Sequence, residues 1–274
     1  MPFALIRILD REWAERLADG EIFMRSLSEL GSWRAVENKD DPSLSNHFRG
    51  DIAEGTVKVV KTAEEDSFLK LLPDVLKQHI KQARIIDQGD IRYFNTLCLY
   101  RLEYNAKQRC YDTPSPRLKD FGNTAVVITH PNWFLERLLK TVNSGKYAFL
   151  LNNITYYSQD KTRTVNPLFN KVKGYSYQNE LRIAVGRLDA TKMLSDGTYP
   201  LIQSEEPLKI YTVSLRDIVQ LVPIDAFLSG QWQQKKVNRV DLSQKNCLYT
   251  QAMRATDIIM SNYKSNRINY TIDI

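Results

Sequence analysis

The chain has 274 residues, 43% hydrophobic and 26% charged, which is ample for a buried core and typical of a globular protein. Its net charge of +6 permits an acidic partner such as nucleic acid without requiring one. No apolar run reaches the roughly 18 residues of a membrane span. The opening MPFALIRILDREW lacks a signal-peptide layout because Arg7 interrupts a short apolar stretch, so we expect a cytoplasmic protein that does not bind membranes.

The residues that could hold a metal are few and scattered. The three cysteines are odd in number and show no CxxC spacing, which argues against a disulfide framework and a zinc site. The loop FRGDIAEG carries Arg49, Asp51 and Glu54, but two carboxylates are too few ligands for a cation. The chain also lacks a GxGxxG fingerprint, a P-loop and the common nucleic-acid-binding signatures. We therefore expect no metal.

The first third of the chain predicts a strand, a helix and a second strand. The segment ALIRIL (4–9) is typical of a buried strand, and EIFMRSL (21–27) is again strand-like. Between them, Asp10 and Gly20 suit the two ends of a helix over 11–19. Residues 36–56 predict a loop, and helical periodicity follows over 64–85, where Pro73 kinks or divides the helix.

The rest of the chain alternates strands with polar segments. The predicted elements are strands over 90–104, 124–130 and 146–158, a helix from Asn132 to near Gly145, a polar loop over 159–175, a strand from Gln178, a strand over 208–214, a helix or irregular segment over 215–230 and a strand over 266–274. No repeat or linker interrupts them. We therefore predict one α+β domain over residues 1–274.

The stretch KGYSYQNELRIAV (173–185) predicts a strand with two unlike faces. One face is polar and the other packs on the core: Gln178, Glu180 and Arg182 against Leu181, Ile183 and Val185. The ordinary interpretation of Glu180 and Arg182 is a pair of solvated surface charges. The alternative is that Gln178 and Glu180 lie two residues apart because both face one reaction centre.

Two arginines near the start of the chain also permit two interpretations. Arg7 lies in a strand that is apolar on both faces, and a buried guanidinium needs a partner. That partner is either a carboxylate such as Asp51 or Glu54, or a ligand phosphate. Arg25 and Ser26 end the next strand where a loop is predicted, a frequent place for ligand contacts, although Arg25 equally suits an exposed surface.

Taken in order, these residues resemble the Arg-Ser-Glu group of the ADP-ribosyltransferase superfamily. In that group the first strand carries an arginine, a middle strand carries a Ser/Thr motif, and a late strand begins with Glu or Gln, one residue, then Glu. Arg7 and Gln178-Asn179-Glu180 match the first and last motifs, while Ser26, Thr96 and Tyr100 are alternatives for the middle one. The stretches LADGEIFMRSLSEL, RGDIAEG, FGNTAVVI and KGYSYQNELRI also resemble uncharacterised bacterial and phage-associated proteins of this fold. The resemblance covers about residues 3–186 and leaves the tail unassigned.

The resemblance implies a split β-sheet core with peripheral helices and a site that uses NAD as substrate. Glu180 would hold the ribose and stabilise the positive charge that develops when the nicotinamide bond breaks. Gln178 would orient the acceptor, and a glutamine at this place goes with amide or nucleobase acceptors. The remaining NAD contacts would come from Arg7, Arg25, Ser26 and Tyr100, with Tyr175 or Tyr177 stacking on a ring.

The expected acceptor is a macromolecule, with nucleic acid ahead of protein. The segment 159–177 interleaves Lys161, Arg163, Lys171 and Lys173 with aromatic residues, which suits single-stranded nucleic acid but equally suits a mobile, solvated segment. By resemblance the chain would be a toxin or anti-phage effector that needs an antitoxin protein as partner. Two alternatives stay open: an NAD glycohydrolase with the same site, and a non-catalytic basic module that binds RNA or protein.

Overall fold

The computed structural model describes residues 2–32, 56–61, 82–86, 92–142, 146–158, 163–195, 199–203, 206–234, 237–244 and 247–262. These residues form a mixed α+β structure built mainly from antiparallel strands. The strands are β1 (Phe3–Leu9), β2 (Glu21–Ser26), β3 (Thr56–Lys61), β4 (Gln82–Ile86), β5 (Phe94–Asn105), β6 (Cys110–Tyr111), β7 (Thr124–Ile128), β8 (Tyr147–Asn153), β9 (Thr155–Tyr157), β10 (Arg163–Thr164), β11 (Asn170–Val172), β12 (Glu180–Leu188), β13 (Leu201–Ile202), β14 (Leu208–Tyr211) and β15 (Val219–Pro223).

Among the described residues, helices are fewer than strands and lie around them. The α-helices are α1 (Arg11–Ala18), α2 (Leu27–Ser32), α3 (Pro131–Val142), α4 (Ile224–Leu228) and α5 (Leu248–Asn262), and 3₁₀ helices cover Pro116–Phe121, Lys173–Gln178 and Gln231–Gln234. No helix in the described ranges has both the length and the apolar character that a membrane span requires.

The described strands form one large sheet and two small ones. The large sheet has ten strands with the central order β13-β12-β5-β1-β7-β15, and every strand pair in it is antiparallel. Strand β8 adds to β12, β6 adds to β5, and β14 joins through β2. The small sheets are β10-β3-β4 and a parallel pair of β9 with β11.

Strand β5 lies at the centre of the large sheet, and its two edges are used differently. One edge pairs with β12 from Phe94 to Tyr100. On the other edge β1 pairs only from Glu103 to Tyr100, and β2 pairs only at Thr96 and Asn95. Among the described strands none pairs with residues 97–99 on that edge. The sheet therefore opens into a gap between β1 and β2, directly over the middle of β5.

Apolar side chains cover both faces of the sheet because successive residues of a strand point to opposite sides. On one face Leu5, Leu99 and Leu181 pack with residues of α1, α3 and α5. On the other face Ile6 and Ile8 pack with residues of β7 and α4 and of the 3₁₀ helices nearby. Burial on both faces explains why β1 is apolar at almost every position.

The predicted elements around the gap are confirmed with small shifts of their ends. Strands β1, β2, β5 and β7 and helices α1 and α3 lie where the pattern of apolar residues placed them. Gly20 follows α1 with a φ of +99°, a left-handed conformation that glycine adopts readily. Asp10 occupies the N-cap of α1 but makes no side-chain capping hydrogen bond.

Other predictions are wrong in detail. The last residues of the helix predicted over 64–85 form strand β4, and the strand predicted over 146–158 is two strands separated at Ile154. Residues 215–230 contain strand β15 followed by α4, because β15 completes the open edge of β7. The loop predicted over 36–56, apart from its last residue, and the strand predicted over 266–274 lie outside the described residues.

Candidate functional site

The turn before β12 differs from the sequence prediction. The strand was predicted to begin at Gln178, but Gln178 ends a 3₁₀ helix and β12 begins at Glu180. Asn179 between them has a φ of +34°, in the left-handed region that asparagine tolerates better than most residues, and its Nδ2 donates to the carbonyl oxygen of Arg101 at 2.7 Å. Gln178 and Glu180 therefore do not alternate along one strand. They converge because a sharp turn brings their side chains to one place.

Glu180 is the centre of a buried cluster of charges. Its Oε2 lies 2.7 Å from Lys171 Nζ, and its Oε1 lies 2.7 Å from Arg182 Nε. Only 4% of Glu180 and none of Arg182 is exposed, so the interpretation of these residues as solvated surface charges is wrong. Because these residues are buried, the negative charge of Glu180 is needed to offset the positive charges of Lys171 and Arg182. An unpaired charge in this place would be very unfavourable.

The charges around Glu180 decide its protonation state. Burial by itself favours the neutral carboxyl, but the positive charges of Arg182 and Lys171, with a hydrogen bond from the Cys98 thiol, hold the pKa of Glu180 well below its ordinary value. Burial and the negative charge of Glu180 raise the pKa of Cys98. Glu180 is thus a carboxylate at neutral pH, and Cys98 is a hydrogen-bond donor and not a thiolate nucleophile.

Arg7 reaches across the gap beside β5. Its Nη1 donates to the carbonyl oxygen of Cys98 at 2.5 Å, where β1 has already separated from β5. Within the described ranges Arg7 pairs with no carboxylate, and the predicted partners Asp51 and Glu54 lie outside them. Burial lowers the pKa of Arg7, but a guanidinium stays charged at neutral pH. Its remaining N–H groups are suited to an anion.

A pocket of about 200 Å³ occupies the gap between β1 and β2. Four of the predicted site residues line it: Arg7, Arg25, Gln178 and Glu180. Thr96, an alternative for the middle motif, lies on its floor in β5. The other lining residues are Ile8, Leu9, Asp10, Trp13, Leu17, Glu21, Phe23, Leu30, Leu97, Cys98, Phe121 and Lys171. A smaller cavity of about 60 Å³ shares Arg7, Gln178 and Glu180 and includes Tyr100.

The structure does not bring every predicted residue to the pocket. Ser26 is buried, and its hydroxyl accepts the Glu29 backbone N–H at 3.1 Å at the start of α2, so it stabilises a helix that was predicted to be a loop. Arg25 lines the pocket but forms an ion pair with Glu29. Tyr175 and Tyr177 belong to the 3₁₀ helix and are not among the lining residues.

The predicted basic segment is only partly available to nucleic acid. Lys171 is 6% exposed and is held in β11 by its contacts with Gln178 and Glu180, so its assignment to a solvated binding loop is wrong. Lys173 is exposed, and Lys161 lies outside the described residues. Tyr177 packs under the Arg117 guanidinium, 4.0 Å from the ring centroid.

Sequence reasoning missed the residues that complete the pocket. Lys171 carried no local signal for a role beside Glu180, because a polar segment and a left-handed turn separate the two. The aromatic wall of Trp13, Phe23 and Phe121 comes from three separate elements. Trp13 and Phe23 pack with ring centroids 5.3 Å apart, a pairing between α1 and β2 that amphipathic spacing alone would assign to the core.

The described residues contain no group of three or more His, Cys, Asp or Glu side chains placed to hold a metal ion. Comparison with protein-family models, curated proteins and solved structures finds no match to the chain.

Proposed function

We propose that the pocket binds NAD and that the chain transfers ADP-ribose from it to a macromolecule, with a fold of the ADP-ribosyltransferase type. The observation that carries this proposal is the convergence of Arg7, Gln178 and Glu180 on one pocket. These residues come from the first strand and from a late turn, and they meet where the large sheet opens beside β5. The resemblance described above places the same residue types in the same order.

The state of Glu180 suits cleavage of the nicotinamide–ribose bond. This bond breaks with development of positive charge on the ribose, as in glycoside cleavage. A carboxylate that is already ionised and held in a low-dielectric wall stabilises that charge without reorganisation. Arg182 and Lys171 keep Glu180 ionised, because they hold its pKa well below the ordinary value against the effect of burial.

The rest of the pocket suits the remaining parts of NAD. Arg7 presents N–H groups to an anion and would bind the diphosphate. Trp13 and Phe121 offer flat surfaces for a ring of the dinucleotide. A volume of about 200 Å³ is below the range of about 300–1,000 Å³ for sites that enclose a whole drug-sized ligand. The pocket would therefore hold nicotinamide and its ribose, with the adenosine half extending along the rim.

Nucleic acid is proposed ahead of protein as the acceptor. Gln178 lines both cavities and has an amide side chain, which can pair with the edge of a nucleobase. The net charge of +6 is compatible with a polyanionic partner. The smaller cavity beside Tyr100 would be the side from which the acceptor approaches.

One observation favours a second candidate function, a module that binds a nucleotide or RNA without turnover. Both oxygens of Glu180 are already engaged, one by Lys171 and the other by Arg182. A carboxylate held in this way is typical of a structural ion pair as well as of a catalytic group. An NAD glycohydrolase is the intermediate case, in which water replaces the macromolecule.

The decisive experiment follows label from adenine-labelled NAD into a bacterial lysate, with wild type beside Glu180→Gln. Products are digested separately with nuclease and protease. Label that nuclease removes and that the variant does not produce would support transfer to nucleic acid. Free ADP-ribose without a labelled macromolecule would indicate glycohydrolysis. Neither NAD loss nor label, together with salt-sensitive RNA binding that is indifferent to Glu180, would favour the binding module.

A further inference from the structure

Lys171 contacts both residues at the proposed reaction centre. Its ammonium nitrogen lies 2.9 Å from Gln178 Oε1 and 2.7 Å from Glu180 Oε2. It also lines the 200 Å³ pocket while being only 6% exposed. One buried cation therefore holds two side chains that a left-handed turn brings together.

The position of Lys171 is fixed by a small sheet of its own. Lys171 in β11 pairs with Tyr156 in β9, and the Tyr156 hydroxyl accepts the backbone N–H of Glu180 at 3.0 Å. The two paired residues thus hold Glu180 at two points, the backbone and the carboxylate. This support comes from the parallel pair of β9 and β11, which lies outside the large sheet. The start of β12 is therefore held by the large sheet and also by this small one.

The chemistry of an ammonium group decides which end of the Gln178 amide it meets. Lysine donates hydrogen bonds and cannot accept them, so the Gln178 atom beside Nζ must be the carbonyl oxygen. The amide nitrogen is then directed to the other side, where Nε2 lies 3.4 Å from the Tyr177 hydroxyl. Gln178 consequently offers hydrogen-bond donors, and not an acceptor, to a molecule that enters beside it.

We infer that Lys171 is a positioning residue that sets the polarity of Gln178 and thereby selects the acceptor. The preferred acceptor would present a hydrogen-bond-accepting atom, such as a carbonyl oxygen or a pyridine-type ring nitrogen, to the Gln178 amide nitrogen. A group that only donates, such as a guanidinium, would be disfavoured because two donors would face each other. The selection of the acceptor rests on the proposed function. The structural part of the inference, that Lys171 orients the Gln178 amide, does not depend on it.

The structural part is tested first, without NAD, by the side-chain amide signal of Gln178 in ¹⁵N-labelled protein. Gln178→Ala identifies that signal. We expect Lys171→Met to shift it and to speed its hydrogen exchange by at least about tenfold, the size expected for loss of one hydrogen bond to a charged group. An unchanged signal in a folded Lys171→Met protein would show that Lys171 does not position Gln178.

The functional part is tested by the ratio of transfer to hydrolysis when NAD is consumed. Lys171→Met and Gln178→Ala should each lower that ratio about tenfold, and the double variant should show no further loss, because both changes remove the same oriented contact. Lys171→Arg keeps the donors and should retain most of the ratio. Losses that multiply in the double variant would indicate two independent structural effects and would overturn the inference.

Gln178→Glu provides a second test in case the Lys171→Met protein does not fold. The new carboxylate can pair with Lys171, but it has no donor for the acceptor molecule, so we expect a transfer-to-hydrolysis ratio about tenfold lower. A wild-type ratio in this variant would contradict the inference. If wild-type protein neither binds nor consumes NAD, the proposed function fails, and the Gln178 amide signal still decides the structural part. Its exchange should become faster in Lys171→Met or, if that variant is unfolded, stay as slow as wild type in Lys171→Arg, and fast exchange in Lys171→Arg would overturn that part.

Discussion

Arg7 takes the place of a missing strand contact at Cys98. Its Nη1 donates to the carbonyl oxygen of Cys98 at 2.5 Å, just where β1 separates from β5 and the backbone of β5 has no strand partner among the described residues on that edge. One side chain thus satisfies the opened sheet and lines the pocket that the opening creates. Substitution of Arg7 should therefore affect both the stability of the fold and the binding of NAD, and the two effects can be measured separately.

Arg7→Met should lower both stability and NAD affinity. The Cys98 carbonyl would lose its partner, at a cost of about 1–3 kcal/mol in the free energy of unfolding. Arg7→Lys keeps one donor but loses the fork that binds phosphate, so its stability should be near wild type while NAD affinity falls about tenfold. Melting temperatures with and without NAD measure both effects, and Arg187→Met, an exposed change on β12, is the control. Undiminished NAD binding by Arg7→Met would remove Arg7 from the site.

Glu180→Gln should destabilise the fold even though it is isosteric. Lys171 and Arg182 would face a neutral amide, and breaking a buried ion pair from one side typically costs about 3–5 kcal/mol. Transfer should fall by about a hundredfold to a thousandfold, because the site would lose its charge-stabilising group. Urea unfolding and NAD consumption measure the two losses. Glu136→Gln breaks an exposed pair with Lys140 and should change stability by less than about 1 kcal/mol.

The buried pairing of Glu180 also predicts a pH dependence. Its pKa in the folded protein lies well below the ordinary 4.5, so the stabilisation is complete above pH 4.5 and is lost as the pH falls below it. The difference in melting temperature between wild type and Glu180→Gln should therefore be largest near neutral pH and shrink from about pH 5 to about pH 3. A difference that stayed constant over this range would mean that the carboxylate is not the origin of the stabilisation.

The residue pattern predicted where the strands of the site lie better than it predicted which side chains of the site contact one another. Apolar and aromatic runs located β1 and β5, while the alternation of polar and apolar residues located β12, which begins two residues later than predicted. The turn at Asn179 could not be predicted, since a left-handed residue before a strand depends on a contact with Arg101 in β5. The role of Lys171 was missed for a related reason: a lysine in a polar segment is usually solvated, but this one is buried where β11 pairs with β9 and contacts Gln178 and Glu180.

Trp13 should report binding in the pocket directly. It is one of four tryptophans and lines the pocket, where its ring packs on Phe23. NAD should quench part of the tryptophan fluorescence, and Trp13→Phe should lose that response while keeping an aromatic wall. Trp133→Phe, at a residue that is 52% exposed and outside this pocket, should keep the response. A response that survives Trp13→Phe would locate the bound NAD elsewhere.

Gly122 packs closely against backbone that forms the pocket wall, so a side chain at this position should not be tolerated. Its φ is +151°, and an added Cβ would lie 2.2 Å from the carbonyl carbon of Leu9 and 2.5 Å from the Asp10 nitrogen. Since Leu9, Asp10 and Phe121 line the pocket, relief of this clash would move the wall itself. Gly122→Ala should lower the free energy of unfolding by more than about 1 kcal/mol and reduce the thermal shift produced by NAD.

The matched control for this change is Gly174→Ala. Gly174 is exposed in the 3₁₀ helix before β12, and an added Cβ would meet no atom within 4 Å. Its stability should therefore stay within about 0.5 kcal/mol of wild type, and its NAD response should be unchanged. Equal losses in the two variants would show that any alanine in this region is harmful. A loss in Gly122→Ala alone would show that the close approach of Gly122 to Leu9 holds the pocket wall in place.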